Sequence, residues 1–235
     1  MAEGTSAAAL VGCTGLVGSH ILTTLTSLSS HPTIHAIARR DLSTSSANLH
    51  PLIESDSSIW PSSLKSLSPT PNIFLSALGT TRGLAGSFEA QRKIDYDLNL
   101  SLAKAAKESD VKVYVLISSG GVSTKSLFPY CKMKAELDEA VKGLGFPHTV
   151  IVKPGLLVGT RKDSRPPEAV FRAIAKGLGA ISKAALTEWW AVDADVVGRA
   201  AVAAGMQCLE GKREEGVWVV GQSDIIRLGR TEWKD

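Results

Sequence analysis

The feature that most constrains this chain is an apolar run that breaks into three evenly spaced glycines. Ala7 to Val11 are uninterrupted apolar residues, Gly12, Gly15 and Gly18 follow, and Ile21, Leu22, Leu25 and Leu28 then recur at helical spacing. A buried strand, a tight turn and a helix that opens at the turn form a cradle for a phosphorylated ligand. Gly12 permits the sharp turn, and Gly15 lets backbone approach a pyrophosphate. Gly18 allows close helix–strand packing, and the helix N-terminus offers free N–H groups with partial positive charge. The spacing differs by one residue from the commoner G-x-G-x-x-G. Alone it also fits an ordinary strand–turn–helix, so the segments downstream must decide.

Those segments alternate between strand and helix. The first helix stops near Leu28, before Ser29-Ser30-His31-Pro32. Thr33 to Ala38 reads as a second buried strand that ends at Arg39-Arg40-Asp41. Residues 42–70 are rich in Ser, Thr and Pro and promise a weak third strand in a loop-rich connection. Asn72 to Ala77 is a short fourth strand running into Leu78-Gly79-Thr80-Thr81-Arg82, and Phe88 to Ser109 is helical. Val111 to Ser119 is a fifth strand, Tyr130 to Leu144 a helix, and His148 to Lys153 a sixth strand closed by Pro154-Gly155. The expected fold class is α/β: a doubly wound parallel sheet of Rossmann type with right-handed crossovers. One domain is expected over 1–235, with 155–215 as a small substrate-side extension. Within it, Val192 to Met206 reads as a helix capped by Asp193 or Asp195, and Val217 to Val220 as a strand.

Composition excludes several classes. A formal charge of +3, evenly spread, gives no footing for nucleic acid. Cys13, Cys131 and Cys208 lie far apart without a C-x-x-C pair, which fits free thiols in a reducing compartment. His31 and His35 flank a strand start and read as surface residues rather than metal ligands. No run approaches the ~18 apolar residues of a membrane span, and no signal or transit peptide is expected at the N-terminus. The residues alone therefore point to the cytoplasm. Glu168 to Ser182 is a basic amphipathic segment that fits either a helix on a membrane surface, with Trp189 and Trp190 as anchors, or a helix over the substrate crevice.

The chemistry gathers at the fifth strand. Ser118-Ser119 ends it, and Tyr130-Cys131-Lys132-Met133-Lys134 opens the next helix, so Tyr130 and Lys134 share a helical face. A phenol with pKa ~10 is a poor acid–base group at neutral pH, and a nearby ammonium is expected to lower that value. A serine then holds the carbonyl or alcohol oxygen. At the second strand, an acid would accept from a ribose 2′-hydroxyl, whereas arginines pair with a 2′-phosphate. Arg39 and Arg40, with no acid before them, favour NADP(H), though two solvated charges opening a loop would look the same.

Together these residues make the chain resemble the short-chain dehydrogenase/reductase superfamily in its atypical, epimerase-like branch. It is most similar to a fungal family of mitochondrial outer-membrane proteins and to their animal relative, the Tat-interacting oxidoreductase. The shared stretches are Val11 to His20, Ser76 to Arg82, Ile117-Ser118-Ser119, Tyr130 to Lys134, and Lys153-Pro154-Gly155 with Asp163-Ser164-Arg165-Pro166. The resemblance implies that Gly12, Thr14, Gly15, Leu16, Val17 and Gly18 hold the pyrophosphate and Arg39 and Arg40 the 2′-phosphate. Leu78 and Gly79 would border the adenosine, and Leu157 and Arg165 would approach from the far side. Tyr130 and Lys134 would hold the nicotinamide ribose and carry catalysis with Ser119. The implied activity is NADPH-dependent reduction of a carbonyl on a small or apolar substrate. A regulatory or interaction protein that binds NADP(H) with little turnover is the alternative. The resemblance also implies peripheral contact with the cytosolic face of the mitochondrial outer membrane, and it leaves the oligomeric state open. Two departures stand out. Asp95 occupies the place of a helix asparagine common in the superfamily, and the segment after the sixth strand is shorter than in sugar-nucleotide epimerases.

Overall fold

Strands covered on both faces must be apolar at consecutive positions rather than alternate ones, and the leading segment meets that condition throughout. In the computed structural model, which describes residues 7–30, 32–158 and 191–234, all five residues of β1 (Ala7–Val11) are buried. Ala8 and Leu10 join one core, while Ala9 and Val11 join another on the opposite face.

β1 lies in a sheet with β2 (Thr33–Ala38), β3 (Leu49–Ile53), β4 (Ile73–Ser76), β5 (Val113–Ile117), β6 (His148–Val152) and, at the far edge, β9 (Gly216–Val220). The seven strands run in the order β3-β2-β1-β4-β5-β6-β9, and every neighbouring pair is parallel. One face carries α1 (Leu16–Ser27) and a long α7 (Ala194–Leu209). The other carries α2 (Trp60–Lys65), α5 (Asn99–Glu108) and α6 (Pro129–Lys142). There Tyr114 stacks between Phe74 and Phe146, with ring centroids 5.5 and 5.0 Å apart. The sheet is thus wound on both sides, as the alternation of elements requires.

Several local expectations shift. The weak third strand exists as β3, paired along its length with β2. The helix expected over 88–109 is interrupted: α4 (Phe88–Arg92) and α5 flank a π-helical turn at Lys93–Leu98. Asn99 takes up the carbonyls of that turn. Its amide donates to the carbonyl oxygens of Asp95 at 3.1 Å, Ile94 at 3.4 Å and Leu78 at 3.2 Å. Asp193 stands at the N-cap position of α7, but its carboxylate accepts from Arg230 at 3.2 Å rather than capping the helix. Val192 belongs to a strand, β8 (Ala191–Asp193), which pairs in parallel with β7 (Leu156–Val158) in a separate two-stranded sheet. The Glu168–Ser182 segment, Trp189 and Trp190 lie outside the described residues.

His35, expected at the surface, is only 5% exposed on β2, and its Nε2 donates to the Pro69 carbonyl at 3.1 Å. Burial, with a smaller push from His50, holds its pKa below the ordinary 6.5, against the pull of that hydrogen bond. The folded state therefore favours neutral imidazole. Its contribution to stability is complete above the unfolded pKa and drains away as pH falls through the lower folded value. His35→Gln keeps a donor for Pro69 and removes the titration. The thermal midpoint of this variant should drop less than that of the parent between pH 7.5 and 5, and equal drops would absolve His35.

Candidate active site

In an all-parallel sheet every strand ends at the same edge, so the residues following β1, β2, β4, β5 and β6 meet there. The chain reverses face between β1 and β4: α1 follows the first onto one side, and α5 follows the second onto the other. A crevice opens between the two strand ends.

The glycine loop forms one wall. Gly12 has φ +78°, and a Cβ there would sit 2.4 Å from the Ala77 carbonyl oxygen. Glycine is therefore demanded twice, by conformation and by the neighbouring backbone. The Gly15 N–H donates to the Gly12 carbonyl at 2.8 Å and closes the turn. A Cβ on Gly18 would lie 2.0 Å from that same oxygen. Helix α1 then opens with no capping side chain and no acidic residue in its first turn. The N–H groups of Leu16, Val17 and Gly18 have no carbonyl four residues back to accept them. Cys13 and Val17 are buried in the core, so those residues offer only their backbone to a ligand, while Thr14 is exposed. Burial pushes the Cys13 thiol up to about 11, against its own backbone hydrogen bonds.

Leu78 and Gly79 follow β4 on the opposite wall, half-buried and exposed respectively. Arg39 and Arg40 leave the end of β2 beside the loop. Both are exposed, and neither forms an ion pair among the described residues. Leu157 is half-buried in β7, whereas Arg165 lies outside the described residues.

The third group gathers on α6, which opens with Pro129 at its first position. Tyr130, Lys134 and Asp138 succeed one another at four-residue steps on one face. Lys134 is 4% exposed, and its Nζ donates to the Ile117 carbonyl at the end of β5 at 3.2 Å. Burial lowers its pKa, opposed by Asp95 and Asp138. Asp95, on the π-helical turn, accepts from the Thr80 N–H at 2.6 Å and from Gln91 at 3.3 Å. Burial raises its pKa, and Lys134 opposes that rise. Tyr130 is 41% exposed. Its phenol nonetheless has a pKa above the ordinary value, through desolvation first and then Asp95 and Cys131. The phenol is therefore held up rather than lowered, by desolvation first and by the negative charge of Asp95. Among the described residues, Ser119 Oγ donates only to the Gly120 carbonyl, at 3.4 Å. Ser118, held in the ladder by its N–H to the Val152 carbonyl, has a buried hydroxyl with no hydrogen-bond partner.

Three contributors escaped the sequence reading. Asn99 ties the π-helical turn to Leu78. The side chain of Gln222 accepts from the Gly155 N–H at 3.0 Å and so fixes the turn after β6. Asp138 had a signal, since it extends Tyr-x-x-x-Lys by one more helical step.

The HIM1 family profile matches residues 42–184. The mitochondrial protein fmp52 of Emericella nidulans is 50% identical over 229 residues, covering 94% of this chain and 98% of its own length. The mitochondrial protein fmp-52 of Neurospora crassa is 43% identical over 235 residues, covering 97% and 96%. Among solved structures, MoeE5 in complex with UDP-glucose and NAD superposes with a TM-score of 0.63 at 17% identity, over 92% of this chain and 75% of that one. A UDP-N-acetylglucosamine 4-epimerase from Methanobrevibacter ruminantium gives 0.66 at 15%, over 93% and 76%. Those likenesses establish the fold as Rossmann-like. No helix among the described residues is long and apolar enough to cross a membrane.

Proposed function

The chain belongs to the HIM1 family, and on that premise we propose that it is an NADP(H)-dependent oxidoreductase of the atypical short-chain dehydrogenase/reductase kind. Its reaction in this reading is the reduction of a carbonyl on a small or apolar substrate. The observation that carries the proposal is the shared sheet edge: an uncapped, acid-free helix N-terminus and a Tyr–Lys pair flank one crevice.

The residues fit a dinucleotide. Free N–H groups at Leu16, Val17 and Gly18, with the exposed Thr14, meet the pyrophosphate. Arg39 and Arg40, without ionic partners among the described residues, meet the 2′-phosphate. Leu78 and Gly79 border the adenosine and Leu157 approaches from the other side; Arg165, outside the described residues, is assigned to the cofactor by the family resemblance alone. Lys134 and Tyr130 hold the nicotinamide ribose. When bound, the reduced nicotinamide supplies the hydride. Ser119 holds the substrate oxygen by a hydrogen bond, and the Tyr130 hydroxyl gives that oxygen its proton. A phenol held above its ordinary pKa is fully protonated at neutral pH, which suits the acid in a reduction better than the base in an oxidation.

NADPH consumption against a panel of small aldehydes and ketones tests the reading. Cofactor binding without turnover across the panel would favour the alternative, a regulatory protein that senses NADP(H). Cofactor choice has its own check. A charge-assisted hydrogen bond is worth roughly 1.5–3 kcal/mol, so Arg39→Ala and Arg40→Ala should each raise the Kd for NADPH about 10- to 100-fold. Neither should change the Kd for NADH, and parallel losses for both coenzymes would remove the phosphate clamp.

A further inference from the structure

Beneath the Tyr–Lys pair lies a buried group of charges that the proposed reaction does not itself use. Asp138, one helical turn below Lys134 on α6, is 1% exposed. Its Oδ2 lies 2.9 Å from Nζ of Lys153, the first residue past β6 in the Lys153-Pro154-Gly155 turn. The Lys134 ammonium donates to the Ile117 carbonyl from β5 and feels the negative charges of Asp95 from the π-helical turn and of Asp138 one turn along its own helix. Lys153 reaches this group from β6 through Asp138. Asp95, Lys134 and Asp138 are thus buried together, and Lys153, with 23% of its side chain exposed, closes the group on its solvent side. Removing either carboxylate leaves two cations facing one anion, and a buried surplus charge is costly.

We propose that Asp138, ion-paired with Lys153, is a positioning residue that keeps the Lys134 ammonium charged and seated against the end of β5. The inference rests on the oxidoreductase reading above, because it assigns Lys134 a task that needs its charge. It also explains how a lysine this deeply desolvated serves at all, since burial alone drives it toward the neutral amine. Lys153 completes the pair, so the turn after β6 and the face of α6 are electrostatically one unit.

Side-chain NMR on the full chain carrying labelled lysine, without cofactor, reads the Lys134 titration midpoint, its signal assigned by loss in Lys134→Met. Asp138→Asn should lower that midpoint by about one pH unit, a tenfold change in the ionisation constant, and Asp138→Glu should restore it. Mere loosening of the packing would admit water and move the midpoint up toward an ordinary lysine. An upward or absent shift in folded Asp138→Asn therefore overturns the proposal. Should Asp138→Asn fail to fold, Lys153→Met carries the test. Loss of the second cation should raise the Lys134 midpoint, and an unmoved midpoint is the overturning result. A parent chain that binds no NADPH would defeat the oxidoreductase reading while leaving these shifts in place, so the two failures are distinguishable.

Discussion

Tyr130→Phe should reduce the rate of NADPH-dependent carbonyl reduction by about 10²–10⁴-fold, the usual contribution of a positioned general acid. The change deletes one oxygen. The residue is the second of α6 and 41% exposed, and the buried stripe of that helix runs through Met133, Leu137 and Val141, which the substitution leaves alone. Thermal stability should therefore stay within about 0.5 kcal/mol of the parent, as for surface changes that remove no packing. The loss should fall on kcat, because the missing interaction forms only as the proton moves. The direction of the reaction sharpens the test. With the phenol held above its ordinary pKa, reduction should stay level through the neutral range and decline only at strongly alkaline pH. Equal rates for parent and variant would remove Tyr130 from the chemistry.

Gly18→Ala should disturb the glycine loop strongly. The new Cβ would sit 2.0 Å from the Gly12 carbonyl oxygen and 2.7 Å from its carbon, both backbone atoms. Neither atom can swing away as a side chain would, because Gly12 is itself pressed against Ala77 and bonded to Gly15. Relief requires α1 to slide or the loop to lift, and overpacking of this kind costs about 1–3 kcal/mol. Either movement withdraws the N–H groups from the phosphate. Losing one or two such bonds raises the Kd for NADPH by roughly 100-fold. Gly83→Ala is the control. No atom lies within 4 Å of its Cβ, and a helical Gly→Ala change is neutral to slightly stabilising. Calorimetry and a fluorescence titration of NADPH on both variants check the pair. An unchanged Kd in Gly18→Ala would mean that the loop is not the phosphate cradle.

Much of this architecture was readable from residue type because of how parallel sheets are built. A strand covered on both faces shows no polar alternation, so Ala7–Val11, Ile73–Ser76 and Val113–Ile117 each stand out as a run. Short-range chemistry was equally legible. Glycine spacing announces the turn before α1, and the four-residue step from Tyr130 to Lys134 places both on one helical face. Where the reading was weak, as for the third strand it did expect, or failed, the reason was local ambiguity or a distant partner. β3 contains Pro51 and exposed residues, and it becomes a strand by pairing with β2 at the sheet edge. Asp193 looked like a helix cap, but Arg230 takes its carboxylate from 37 residues away.

Taken by itself, the sequence determined the alternation of strands and helices, the glycine turn and the roster of reactive groups, because each depends on neighbours within one or two turns of chain. The tertiary structure alone decided what those groups face. It turned Phe88 to Glu108 through a π-helical step that aims Asp95 at the site, with Asn99 accounting for the released carbonyls. It desolvated the phenol that the lysine had been expected to acidify, so that its pKa rises instead, and it brought Lys153 onto Asp138. Charge and hydrogen-bond partners in a folded chain are chosen by proximity in space, and desolvation magnifies every such choice. A linear text carries no measure of either.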